Sequence, residues 1–137
     1  MQELPGYFGA GLDNGNRLFF KVGKGGIVFN QIKTDLHTLN TVRATSPFDH
    51  KSIWVEVFSH LAGKHRAADF LLKELNLSHT DTVAIGNDYN DIDLLSWAEK
   101  AYVVQNGIEE LKDQHEVVSS AEEHGFSEAI KRFLKKA

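Results

Sequence analysis

The chain contains no cysteine, two prolines and a single methionine, and each shortage narrows what it can be. Without cysteine there is no disulfide framework, no thiolate zinc site and no cysteine nucleophile, which fits a reducing compartment. A basic excess is missing too. Fifteen Lys plus Arg stand against nineteen Asp plus Glu, a formal charge of −4, and no basic stripe offers a footprint for a phosphate backbone. No apolar run approaches the roughly 18 residues of a membrane span, and the opening MQELPGYFGAG has neither the basic nor the apolar region of a signal peptide. These absences predict a cytoplasmic protein with neither nucleic acid nor membrane as partner. What remains is a chain of 137 residues, 42% hydrophobic and 25% charged, enough for about one domain with a real core.

From residue 53 the hydrophobic period switches regularly between two and 3.6. Ile53 to Phe58 reads as a strand. Lys64 to Leu75 reads as a helix with Ala67, Ala68, Leu71, Leu72 and Leu75 on one stripe, closed by Asn76. Thr82 to Ile85 is a short apolar strand, Asp91 to Ala98 a helix, Ala101 to Val104 a strand, Ile108 to His115 a helix and Val117-Val118 a brief strand. Ser127 is placed to cap a last helix with Ala129, Ile130, Phe133 and Leu134 inward. Such alternation is the mark of parallel βαβ units, so residues 53–137 are expected to form a doubly wound α/β half-fold.

Residues 1–52 differ. They hold seven of the eleven glycines, and the Asn14-Gly15 turn signal before Leu18-Phe19-Phe20 predicts a β-hairpin. Residues 27–42 allow a strand or a short helix.

The densest polar cluster, Gly86-Asn87-Asp88-Tyr89-Asn90-Asp91, follows a strand and opens a helix, where an open parallel sheet binds its ligands. Asp88, Asp91 and Asp93 with Asn87 and Asn90 are hard oxygen donors suited to Mg²⁺. The same letters also make a polar turn in which Asn90 or Asp91 caps the helix. Lys64, after Ala62-Gly63, opens the first amphipathic helix and can reach a phosphate as a point charge. Other polar residues carry less. The seven histidines show no His-x-x-x-His pair on a predicted helix, Thr45-Ser46 suits a turn before Pro47, and Trp54 and Trp97 sit in apolar runs as core.

Taken in order, these motifs resemble the haloacid dehalogenase-like phosphatase superfamily, in its Cof-type and sucrose-phosphatase-like branch. Glu56-Val57 followed by Gly63-Lys64-His65-Arg66-Ala67-Ala68 matches a Lys-Gly-x-Ala-Leu helix start, with His65 in place of glycine. Gly86 to Asp91, with Ile92 to Ala98, is similar to Gly-Asp-x-x-Asn-Asp and its apolar helix. Val104-Gln105-Asn106-Gly107 and Glu123-His124-Gly125-Phe126 resemble the two later turns.

The resemblance implies a Mg²⁺-dependent phosphohydrolase of small phosphorylated substrates with a Rossmannoid core. It implies Lys64 and Asp91 as catalytic residues, Asn90 with Lys64 against substrate, and Asn87, Asp88 and Asp91 at the metal. Each role suits phosphoryl transfer, where anionic nucleophile and anionic phosphate need positive charge between them. Two departures stand out. Asn87 occupies the place of the family's metal-binding Asp, and no Asp-x-Asp nucleophile motif follows an apolar strand; Asp91-Ile92-Asp93 lies inside the last motif. The expectation is a C-terminal part of such an enzyme, inactive alone, with residues 1–52 a hairpin or cap remnant and the exposed sheet edge driving homo-oligomerisation. The alternative is a catalytically silent α/β module for binding or oligomerisation. A receiver domain shares the rhythm, but its acidic pair and phosphorylatable Asp are not in register.

Overall fold

The alternation Ile53-Trp54-Val55-Glu56-Val57-Phe58 buries every second side chain and leaves the ones between half-buried, the period of a strand with two unlike faces. The computed structural model describes residues 7–12, 18–22, 26–46 and 51–136, and the chain divides into two compact units, residues 1–62 and 63–137. The first unit is a four-stranded antiparallel sheet: β1 (Tyr7–Leu12), β2 (Leu18–Val22), β3 (Leu39–Thr45) and β4 (Ile53–Ser59), in the order β1-β2-β4-β3. Helix α1 (Gly26–Asp35) covers one face, with Val28, Phe29 and Ile32 packed on buried Val22, Ile53, Val55 and Val57.

The strand at residues 53–59 therefore does not open the parallel core, as its place in the sequence suggested. It pairs antiparallel with β2 and β3, Val55 lying opposite Phe20 and Arg43, and the break between units falls after Ala62 rather than before Ile53. The reason is its half-polar pattern. A strand with Glu56 on one face suits an antiparallel sheet, whereas parallel strands bury both faces. The hairpin expected near Asn14-Gly15 is present as β1 and β2, with Leu12 opposite Leu18; the turn itself lies outside the described residues. Residues 27–42 resolve into α1 and the start of β3.

The second unit is the α/β layer. Helix α2 (Lys64–Leu75) leads to a parallel sheet of β5 (Val83–Gly86), β6 (Lys100–Val104) and β7 (Glu116–Val118), with α3 (Ile92–Trp97), the single turn α4 (Glu109–Lys112) and α5 (Gly125–Lys136) between and after the strands. Two cores lie on opposite faces of this sheet. Ala84, Leu95, Val103 and Leu111 pack on one; Tyr102, Val104, Val118 and Ala129 pack on the other beneath α5. Helices on both faces make the layer doubly wound, as expected. Burying Leu95 and Leu111 contributes about 1.5–3 kcal/mol each.

Three local readings need correction. The apolar stripe of α2 is real, but no residue of that helix is buried, and Leu71 and Leu75 are more than half exposed. Leu134 likewise points outward, while Ala129 is fully buried. Ser127 lies inside the first turn of α5; the helix starts at Gly125, whose added Cβ would sit 2.0 Å from the Ser119 carbonyl oxygen, so only glycine fits. Trp97 is half-buried, its ring edge-on to His79 at 5.0 Å. Asn76 ends α2 as expected, in the left-handed conformation (φ 52°), with Leu77 N–H donating to Leu72 C=O at 2.9 Å.

Candidate functional site

Strand β5 ends at Gly86, and the chain turns through a 3₁₀ turn at Tyr89–Asp91 into α3. Helices α2 and α3 both present their N-terminal residues near this strand end, because Lys64 of α2 donates a hydrogen bond and ion pair to Asp91 Oδ1. The pair spans 27 residues of sequence. Lys64 keeps 52% of its side chain exposed while Asp91 keeps 8%. An ammonium has three donors, so Lys64 can hold Asp91 and still offer N–H groups to a ligand.

Asp91 is spoken for on its other oxygen as well. Oδ2 accepts the Asn87 N–H at 2.9 Å and, more weakly, the Asp88 N–H at 3.4 Å. Asp88 in turn accepts the Tyr89 N–H at 2.7 Å and the Asp91 N–H, so the two carboxylates form a reciprocal capping box. A carboxylate as buried as Asp91 is tolerated because one cation and two amides replace its water. The Asn87 side chain is exposed, and Asn90 is half-buried within the turn.

Two glycines make room for this arrangement. Gly63 precedes α2 at φ 155°, ψ 155°, a region essentially reserved for glycine, and sets the direction from which Lys64 enters. At Gly86 an added Cβ would lie 2.6 Å from Asp91 Cβ. The neighbouring loops are laced to the same edge. Asn87 C=O accepts the Ile108 N–H at 3.0 Å, and Asn106 bonds the Glu122 carboxylate and the Ala121 N–H, both at 3.2 Å. Between these strand ends lies an open cavity of about 290 Å³ bordered by Ile85, Asn87, Val104, Asn106 and Phe126; neither Lys64 nor Asp91 lines it.

Lys64 thus meets the Gly86–Asp91 loop through Asp91, to which Asn87 and Asp88 are tied by their N–H groups, while Asn90 sits in the same turn and Asp93 is exposed on α3. The remaining candidates belong to elements other than this loop. Thr45 ends β3 in the first unit and Ser46 follows it, its N–H donating to Ser52 C=O at 2.9 Å; the turn expected at Pro47 lies outside the described residues. His65 is half-buried, and its Nδ1 is shielded without a hydrogen-bond partner. No three His, Asp or Glu side chains converge among the described residues. What sequence reasoning missed is the role of Gly63 and Gly86; a glycine immediately before the lysine that opens α2 and another immediately before the polar loop were the available signals.

A family model described as haloacid dehalogenase-like hydrolase matches residues 24–130. The chain belongs to that family. Among curated proteins it is similar to a kanosamine-6-phosphate phosphatase of Bacillus subtilis, 30% identical over 74 residues, and to the phosphatase YwpJ of the same organism, 32% identical over 80 residues. These alignments cover 54% and 58% of this chain but 25% and 28% of the relatives, so the chain spans about a quarter of their length. Of solved structures, the sucrose-phosphatase of Synechocystis sp. PCC6803 superposes with a TM-score of 0.77 at 19% identity, covering 95% of this chain and 57% of that one. A haloacid dehalogenase-like hydrolase from B. subtilis gives 0.70 at 24%, covering 84% and 39%. At these identities the superpositions establish the shared haloacid dehalogenase-like, Rossmannoid fold. Among the described residues no helix is long and apolar enough to cross a membrane.

Proposed function

We propose that this chain carries the phosphate-facing lysine and acidic loop of a phosphohydrolase acting on small phosphorylated substrates, sugar phosphates being the class its kanosamine-6-phosphate phosphatase relative favours. The observation that carries the reading is the Lys64–Asp91 pair. Asp91 positions the ammonium, and the exposed remainder of Lys64 balances a phosphoryl oxygen. Asn90 is the nearby amide for the substrate's own oxygens. Helix α2 supports this: its first turn holds Lys64, His65 and Arg66, no acidic residue and no side-chain cap, so unmatched N–H groups and positive charge share one end.

Hydrolysis also needs a nucleophile. Asp91 cannot serve, because both of its oxygens are engaged, and Asp93 is exposed on α3. The sequence offers no other Asp-x-Asp motif. The 137-residue chain by itself should therefore bind phosphate weakly and turn over an aryl phosphate negligibly. Titration of inorganic phosphate, followed by amide shifts, tests this. Perturbation at residues 64–66 and 87–91, abolished by Lys64→Ala, is expected; shifts elsewhere, or robust turnover that Lys64→Ala leaves intact, would overturn it.

A second reading, self-association, rests on a separate observation. Among the described residues β5 has a strand on one side only, and Phe70, Leu71 and Leu75 of α2 are 60%, 54% and 63% exposed. We propose that copies of the chain associate through this edge and stripe. Sedimentation should show a dimer that Leu71→Lys with Leu75→Lys dissociates. A monomer at high micromolar concentration refutes it.

A further inference from the structure

Phosphotransferases of this superfamily generally use Mg²⁺. The donors of this chain do not fit that ion. We infer that the Gly86–Asp91 loop is a self-satisfied clasp that holds no divalent cation, and that residue 87 is what separates it from a cation site. The inference rests on hydrogen-bond geometry and stands whether or not the phosphatase reading holds.

Mg²⁺ demands near-octahedral oxygen ligands and is usually anchored by one or two carboxylates free to face it. Here Asp91 is turned inward, its oxygens taken by the Lys64 ammonium and by the N–H groups of Asn87 and Asp88. Drawing it towards a cation would orphan those donors and leave Lys64 beside a second positive charge. Asp88 is held by the N–H groups of Tyr89 and Asp91 as the cap of the turn. Asn87, whose side chain is exposed, supplies only a neutral carbonyl. Among the described residues no three His, Asp or Glu side chains gather there or elsewhere. Lys64 already provides the positive charge that Asp91 requires, so the loop is complete without a metal.

Replacing Asn87 changes one thing. An aspartate at this exposed position adds a carboxylate beside Asp88 without disturbing the Asn87 N–H bond to Asp91, which belongs to the backbone. The test is titration of the full chain with Mn²⁺, read by water-proton relaxation, and with Mg²⁺, read by amide shifts of residues 86–91. Unmodified protein should show no saturable site through the millimolar range. Asn87→Asp should gain a saturable site roughly tenfold tighter or more, since carboxylate count tunes affinity over decades. Saturable binding by the unmodified chain, localised to these amides, would overturn the inference. An Asn87→Asp protein that folds but gains nothing would overturn the assignment to residue 87. The measurement on unmodified protein decides the first point even if the variant misfolds, and neither arm depends on hydrolysis.

Discussion

Substituting Gly86 by alanine puts a methyl group where the site is tightest. The new Cβ would lie 2.6 Å from Asp91 Cβ and 3.0 Å from its Cγ and Oδ2, against about 3.5–4.0 Å for carbon atoms in ordinary contact. The obstacle is a β-carbon fixed to the backbone, so rotation of a side-chain end cannot relieve it. Either β5 ends earlier or the Tyr89–Asp91 turn moves outward. Overpacking of this kind costs about 1–3 kcal/mol. Outward movement also weakens the bonds from Asn87 N–H and Lys64 to a carboxylate, each bond to a charged group being worth about 1.5–3 kcal/mol. Stiffening of the unfolded chain returns about 0.4–1 kcal/mol. The net expectation is a loss of about 2–4 kcal/mol from the second unit. Urea denaturation followed by Trp97 fluorescence, in a Trp54→Phe background, reads that unit alone. A loss under about 0.5 kcal/mol, the range of neutral surface changes, with unchanged exchange protection of the Asn87 amide, would refute the reasoning.

Gly125→Ala should lower the thermal midpoint of the second unit by a loss of about 1–3 kcal/mol, because its Cβ meets backbone carbonyl rather than a mobile side chain; an unchanged melt would show that α5 starts elsewhere. Asp91→Asn should destabilise more than Lys64→Ala, since Asp91 also anchors the Asn87 and Asp88 amides, and paired denaturation curves give the order. The Ser119 N–H donated to Glu128, followed by Arg132, holds that carboxyl below the usual glutamate range. A lowered folded value means stability that is present above the unfolded value and lost as pH falls through the folded one, so acidification below the ordinary glutamate range should weaken the fold, and Glu128→Gln should flatten that limb.

The parallel strands were legible because each is a short apolar run ended by turn residues, as in Val83-Ala84-Ile85-Gly86 before Asn87. Asn76 was legible for a similar reason, a left-handed cap being among the few conformations asparagine favours. The partner of β4 was not, because alternation identifies a half-buried strand but not the sheet it enters. Its glutamate was the overlooked sign, since Glu56 on one face argues for an antiparallel neighbour. Ser127 misled for the opposite reason. It satisfies a local capping rule, whereas the start of α5 is fixed by Glu128 reaching Ser119, nine residues back, and by the absence of a Cβ at Gly125. Contacts made across the chain leave no local signature.

The Lys64–Asp91 pair shows how topology converts separate sequence signals into one site. A helix that leads into a strand of such a layer runs back against it, so the N-terminus of α2 comes to the carboxyl end of β5. Helix α3 leaves from that same end, which brings Asp91 there by a second route. Two helix N-termini then converge, and their macrodipoles favour negative charge. Asp91 obeys that preference; Lys64 opposes it. A cation in an uncapped first turn works against the dipole by about 0.3–1 kcal/mol, and the adjoining carboxylate offsets the penalty without explaining why a lysine is there. Stability alone would have favoured an acidic or capping residue at position 64. On the phosphate-binding reading proposed above, a half-exposed cation at position 64, aimed by a buried carboxylate and entered through a glycine-only backbone turn, is positive charge held ready for a doubly charged anion.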